Sequence, residues 1–136
     1  MRQAIAILGT IAALPAVADV PAGSSHDYFL DTTETAIGQP IIYPEGTARI
    51  QAAYGSLEPG QETGWHIHEY PIYIQILEGE MTVDYGDGVV RTFGPGESLV
   101  EVVNYPHNGK NLGDVTLRTI AVFIGAEGLE GTVHLD

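Results

Sequence analysis

Along residues 47–54 apolar and polar positions alternate, with Ala48, Ile50, Ala52 and Tyr54 on one side and Thr47, Arg49 and Gln51 on the other. Residues 81–85 repeat the pattern, Met81, Val83 and Tyr85 standing against Thr82 and Asp84. A period of two predicts half-buried strands. Between 83–85 and 89–93 lies Asp87-Gly88, which predicts a two-residue hairpin because a type I′ turn needs positive φ at both central positions. Gly94-Pro95-Gly96 marks the next turn ahead of a strand over 97–103, and the apolar stretch 72–77 predicts one more. Residues 115–124 end in the continuous run Ile120-Ala121-Val122-Phe123-Ile124, which predicts a strand buried on both faces. Past residue 18 no window has helical period. Short strands punctuated by Gly and Pro predict a β-sandwich or barrel.

The first residues follow another logic. Arg2 supplies a short positive region, Ala4 to Ala13 form an apolar stretch, and Pro15 precedes the small-residue pattern Ala16-Val17-Ala18. This is the pattern of a secretory signal with cleavage between Ala18 and Asp19. The run is shorter than the ~20 residues a bilayer span requires. The chain then divides into a signal peptide over 1–18, an N-terminal arm over 19–45, a barrel over 46–125 and a tail over 126–136. The expected location is periplasmic or secreted.

Composition narrows the chemistry. The length of 136 residues is one domain's worth. Eighteen acids against five scattered bases give a formal net charge of −13, whereas nucleic acids and anionic membranes need clustered cations. Neither is expected as a partner. No cysteine is present, which removes thiolate catalysis, cysteine-based zinc sites and disulfides.

The remaining chemistry lies with five histidines: His26, His66, His68, His107 and His134. In an extended chain His66 and His68 point to the same face, about 6.8 Å apart along the strand. Two imidazoles so placed can share a metal at about 2.0–2.1 Å per bond. On that pair alone a chance surface placement stands level with a metal site. His107 comes from a later segment and can supply a third ligand across a barrel. His26, in the arm, and His134, in the tail, read as surface residues.

Gly60, His66, His68 and Gly79 fall on the pattern G-x5-H-x-H-x3-E-x6-G, with Ile72 at the Glu position. Gly96, His107 and Asn111 fall on G-x5-P-x-G-x2-H-x3-N, with Val102 in place of Pro and Asn104 in place of Gly. Asn is the most forgiving substitute where φ is positive. In these two motifs the chain resembles the cupin family over about residues 46–125. The resemblance implies an all-β fold, a double-stranded β-helix or jelly-roll barrel with the site inside. It also implies a divalent transition metal (Fe, Ni, Zn, Mn or Cu) bound by His66, His68 and His107. Members often pair through barrel faces or arms, so residues 19–46 are a candidate homodimer interface.

Ile72 leaves the set without its usual carboxylate. Three neutral imidazoles keep adjacent coordination positions open, which suits a non-heme iron-type dioxygenase acting on a small oxygenated substrate. The alternatives are a periplasmic module that binds or senses a small ligand or metal without turnover, and a structural cupin with a vestigial site. Glu62, Glu69 and Glu101 are weighed as substitute acids. Surface placement is the commoner fate of each, and Glu101 is the strongest because it interrupts the apolar run Leu99-Val100-Glu101-Val102-Val103. Gln75 has the opposite parity to His66 and His68 and reads as an edge or dimer-face residue. Trp65, Tyr70, Tyr73 and Tyr105 flank the histidines, and packing is a commoner role for them than lining a pocket.

Overall fold

The computed structural model describes residues 27–136. The expected signal sequence, its expected cleavage site and His26 lie outside them. Nine strands follow in order: β1 Ala48–Leu57, β2 His66–Ile67, β3 Ile72–Glu78, β4 Met81–Asp84, β5 Val90–Phe93, β6 Ser98–Glu101, β7 Asn108–Lys110, β8 Leu117–Ala126 and β9 Val133–His134. No helix occurs among the described residues.

One sheet has the order β1-β8-β3-β6. The other layer is made of β5-β4-β7 and β2-β9, joined where His66 bridges His107 and Glu62 bridges Lys110. All strand pairs are antiparallel. The result is a jelly-roll barrel. Ile76, Met81, Val83, Tyr85, Leu99, Val102 and Leu117 form the buried core between the layers, so the alternation over 81–85 does point Met81, Val83 and Tyr85 inward.

The predicted hairpin is present. Asp87 and Gly88 have φ of 49° and 78°, and the Val89 N–H donates to Gly86 O at 2.8 Å. Both central residues are therefore in the left-handed region, as a type I′ turn requires. Asn104, at the motif's Gly position, has φ of 52°. Asn tolerates that conformation because its short polar side chain adds little crowding.

Two expectations are corrected. The apolar side of β1 is not half-buried: Ile50 is 61% exposed and Tyr54 85% exposed, because β1 is an edge strand and that side faces away from the barrel. Nor is the run Ile120–Ile124 buried on both faces. β8 is an inner strand of its sheet, yet all five residues are only half-buried: Ile120, Val122 and Ile124 lie on the outer side, which nothing fully covers, and Ala121 and Phe123 face a cavity on the inner side. The arm crosses that side in part. Its described part, residues 27–45, forms no named strand but is tied to β6 and its continuation by the Ala36 N–H to Val100 O, 2.9 Å, and by Gln39, which bonds both polar backbone groups of Val103 at 2.8 Å. Gln75 lies on this outer side beside Tyr73 and the arm residues Tyr28 and Phe29.

Candidate metal centre

His66 is the first residue of β2, His68 follows its end, and His107 precedes β7. The backbones of His66 and His107 exchange two hydrogen bonds of 3.0 Å, which holds two distant segments in register. All three side chains are buried. Their ring centroids lie 4.3–4.8 Å apart, and one nitrogen of each falls within 4.8 Å of the others, a grouping able to hold a metal ion.

Hydrogen bonds fix which nitrogens those are. Nδ1 of His66 donates to Gly64 O at 2.8 Å, Nδ1 of His68 to Gly131 O at 2.6 Å, and Nδ1 of His107 to Tyr105 O at 2.9 Å. A carbonyl only accepts, so each Nδ1 carries the proton and each Nε2 keeps its lone pair. Nε2 of His107 is buried and has no hydrogen-bond partner among the described residues. A buried polar atom left this way is costly unless a bound ion or ligand completes it. Imidazoles oriented by a backbone carbonyl at one nitrogen and free at the other are what metal ligation needs. The donor set therefore fits a divalent transition metal.

Charge supports the same state. Burial lowers His66 and His107 below the ordinary imidazole range and pushes His68 down to about 3. The three rings are neutral at physiological pH, the form that binds a cation.

A cavity of about 370 Å³ opens onto His66 and His68, walled by Ile72, Ile74, Ala121 and Phe123 and edged by Thr63, Thr132 and His134. Its size suits a small molecule. A larger cavity of about 710 Å³ lies between the arm and the outer side of the β1-β8-β3-β6 sheet. It touches none of the three histidines, so the smaller one is the candidate substrate site.

Ile72 faces the cavity, as strand parity predicts for the motif's Glu position. Glu101 is buried at 2% exposure and points inward. Its Oε1 accepts from the Tyr85 hydroxyl and from the Val102 N–H, both at 2.9 Å, and its Oε2 lies 3.9 Å from His107 Nε2. Burial raises the Glu101 carboxyl above the ordinary carboxylate range, and burial with the Glu101 charge raises the Tyr85 phenol, so Tyr85 remains a donor. Glu62 and Glu69 bond elsewhere, to Asn108 Nδ2 and the Glu130 N–H. None of Trp65, Tyr70, Tyr73 or Tyr105 lines the cavity.

Several contributors were not evident from sequence. His134 is exposed as expected, but β9 pairs it with His66 and sets it on the cavity rim, ring centroids 5.8 Å apart. The tail also supplies Gly131, whose carbonyl orients His68. A Cβ at 131 would stand 2.8 Å from Tyr70 Oη and 2.9 Å from Phe123, so only glycine brings that carbonyl in. Phe123, in the run whose apolar continuity predicts burial on both faces, walls the cavity. Asn111 is fully buried and binds Leu57 O, Val115 O and the Gly113 N–H, a brace for the loops and not a ligand.

Residues 53–123, more than half of the chain, match the family model described as the cupin domain, and the chain belongs to the cupin family. No curated protein matches it. Among solved structures, a cupin-like protein of Thermotoga maritima is similar at 21% identity and TM-score 0.57, over 63% of this chain and 64% of that one. The oxalate decarboxylase of Lactobacillus farciminis, as its formate complex, is similar at 24% identity and TM-score 0.52, over 63% of this chain and 26% of that one. The oxalate decarboxylase of Bacillus subtilis, studied for its Mn(II) centres, is similar at 24% identity and TM-score 0.51, over 73% of this chain and 30% of that one. The chain thus spans under two thirds of each of these proteins, and the likeness is one of fold.

Proposed function

We propose that this cupin is exported, holds one divalent transition metal (Fe, Ni, Zn, Mn or Cu) through Nε2 of His66, His68 and His107, and acts on a small oxygenated substrate as a non-heme iron-type dioxygenase. One observation carries the metal reading: three buried imidazoles each have Nδ1 bound to a carbonyl, with Nε2 of His107 left without a partner. Such an ion supplies Lewis-acid or redox chemistry to a bound oxygen donor. The protein's own part is orientation and exclusion of water. Ile72, Ile74, Ala121 and Phe123 form an apolar wall, while Thr63, Thr132 and His134 offer polar contacts at the rim.

The alternative, a periplasmic module that binds or senses a small ligand without turnover, is favoured by one feature: among the described residues no acidic side chain lines the cavity to act as general base. Oxygen uptake by the Fe(II)-loaded protein against diketones and catechol-like acids separates the two. Uptake that disappears in His68→Ala supports the oxygenase, and a bound metal with no uptake across the panel supports the binding module. Export rests on the sequence of residues 1–18. A homodimer that involves the arm is supported by exposed apolar side chains, Tyr28, Phe29, Ile42 and Tyr43 in the arm and Ile50 and Tyr54 on β1.

A further inference from the structure

The motif's missing carboxylate has a counterpart one strand away. Ile72 on β3 is the direct cross-strand partner of Glu101 on β6. Directly opposed residues of an antiparallel pair share a face with Cβ atoms about 4.5–5.5 Å apart. Both side chains are buried on the barrel's inner face, Ile72 at 1% and Glu101 at 2% exposure. We infer that Glu101 is the carboxylate ligand of this metal centre, carried on β6 in place of the glutamate that the motif carries on β3. The inference rests on the three-histidine site proposed above.

The arrangement of the carboxylate fits that role. Both of its hydrogen bonds fall on Oε1, from Tyr85 Oη and the Val102 N–H, which fix the group in place. Oε2 is turned toward His107 Nε2, 3.9 Å away, beyond hydrogen-bonding range. With metal–ligand bonds of about 2.0–2.1 Å, two donors on one ion stand from about 3 Å apart when adjacent to about 4.2 Å when opposite. The observed separation falls in that span. His107 Nε2 and Glu101 Oε2 are thus two inward-facing donors with no other group between them to complete His107. Neither residue lines the cavity, so this carboxylate approaches from the barrel interior and leaves the mouth, edged by Thr63, Thr132 and His134, to a substrate. Apolar Ile72 then serves as cavity wall.

Mn(II) titration of the metal-free full chain tests this, read by calorimetry and by the Mn(II) electron paramagnetic resonance spectrum. Glu101→Gln keeps an oxygen to accept from Tyr85 and Val102 and removes the charge. It is expected to weaken Mn(II) binding at least about 10-fold, to change the spectrum, and to leave the thermal midpoint of the metal-free protein nearly unchanged. Adding Ile72→Glu to Glu101→Gln returns a carboxylate to the motif position and is expected to restore affinity. Binding that is lost in His68→Ala but unchanged in Glu101→Gln overturns the role of Glu101 alone. Binding that is absent in the wild type, or kept in His68→Ala, overturns the three-histidine site and this inference with it. A wild-type crystal structure soaked in Mn(II) decides the matter without any variant: Oε2 within about 2.2 Å of the ion supports ligation, and Oε2 beyond about 3 Å refutes it.

Discussion

Acidifying the metal-free protein is expected to unfold it through the same imidazoles that form the site. Burial holds His66 and His107 below the ordinary imidazole range and His68 at about 3. In the unfolded chain each imidazole takes up a proton near pH 6.5. Above that pH both states are neutral at these groups and their contribution to stability is fully present. As the pH falls from 6.5 toward the folded values, the unfolded state binds more protons and stability drops. For one such group the slope is about 1.4 kcal/mol per pH unit, so His68 alone costs about 3 kcal/mol between pH 6.5 and about pH 4. That is a large share of the roughly 5–15 kcal/mol typical of a domain. Glu101 works in the opposite sense. Burial raises its carboxyl, so the folded state takes up that proton first and gains stability as the pH falls through the interval above the unfolded value. Relief of repulsion in a chain of net −13 also favours the folded state in acid. A comparison of variants isolates the imidazole. Urea unfolding with chelator present, from about pH 7.5 to about pH 4, is measured for the wild type and for His68→Asn, whose amide can still donate to Gly131 O. The wild type is expected to lose stability more steeply below pH 6.5, by about 1.4 kcal/mol per unit. Parallel curves would refute the assignment of His68 as a buried neutral ligand.

Other expectations follow from single contacts. Gly79→Ala places a Cβ 2.9 Å from Leu117 Cα and 3.0 Å from Thr116 O at a residue with φ of 74°. It is expected to cost about 2–4 kcal/mol in urea unfolding, combining left-handed strain with a backbone clash. Asn111→Ala strips the Leu57 and Val115 carbonyls and the Gly113 N–H of their partner, with an expected loss of about 2–4 kcal/mol by the same assay. Intact mass of protein recovered from the periplasm is expected to place the first residue at Asp19, and a soluble species retaining Arg2 would contradict export.

Features set by neighbouring residues were legible in the chain. Asp87-Gly88 states its own turn, and the alternation of Met81, Val83 and Tyr85 states which side they share. The two motifs mark His66, His68 and His107, and the backbone bridge between His66 and His107 brings the three together. What alternation cannot report is which side of a strand another layer covers, so the apolar side of β1 looks buried and is exposed. Long-range register was equally hidden. Nothing near Glu101 says that it opposes Ile72, and nothing in the tail says that His134 pairs with His66 or that Gly131 O meets His68. Tyr85 gave a partial clue, since a phenol on a core-facing position needs a hydrogen-bond partner, and Glu101 is that partner.

The central claim is that the three Nε2 atoms hold one metal ion. Calorimetric titration of the metal-free protein with Mn(II) and Ni(II) tests it most directly. The expected result is one ion per chain, affinity that is kept through the ordinary imidazole range and weakens only at lower pH, because burial keeps the three rings neutral there, loss of most binding in His66→Ala, His68→Ala and His107→Ala, and near-normal binding in His134→Ala. Absence of saturable binding, or full binding retained in His107→Ala, would contradict the account.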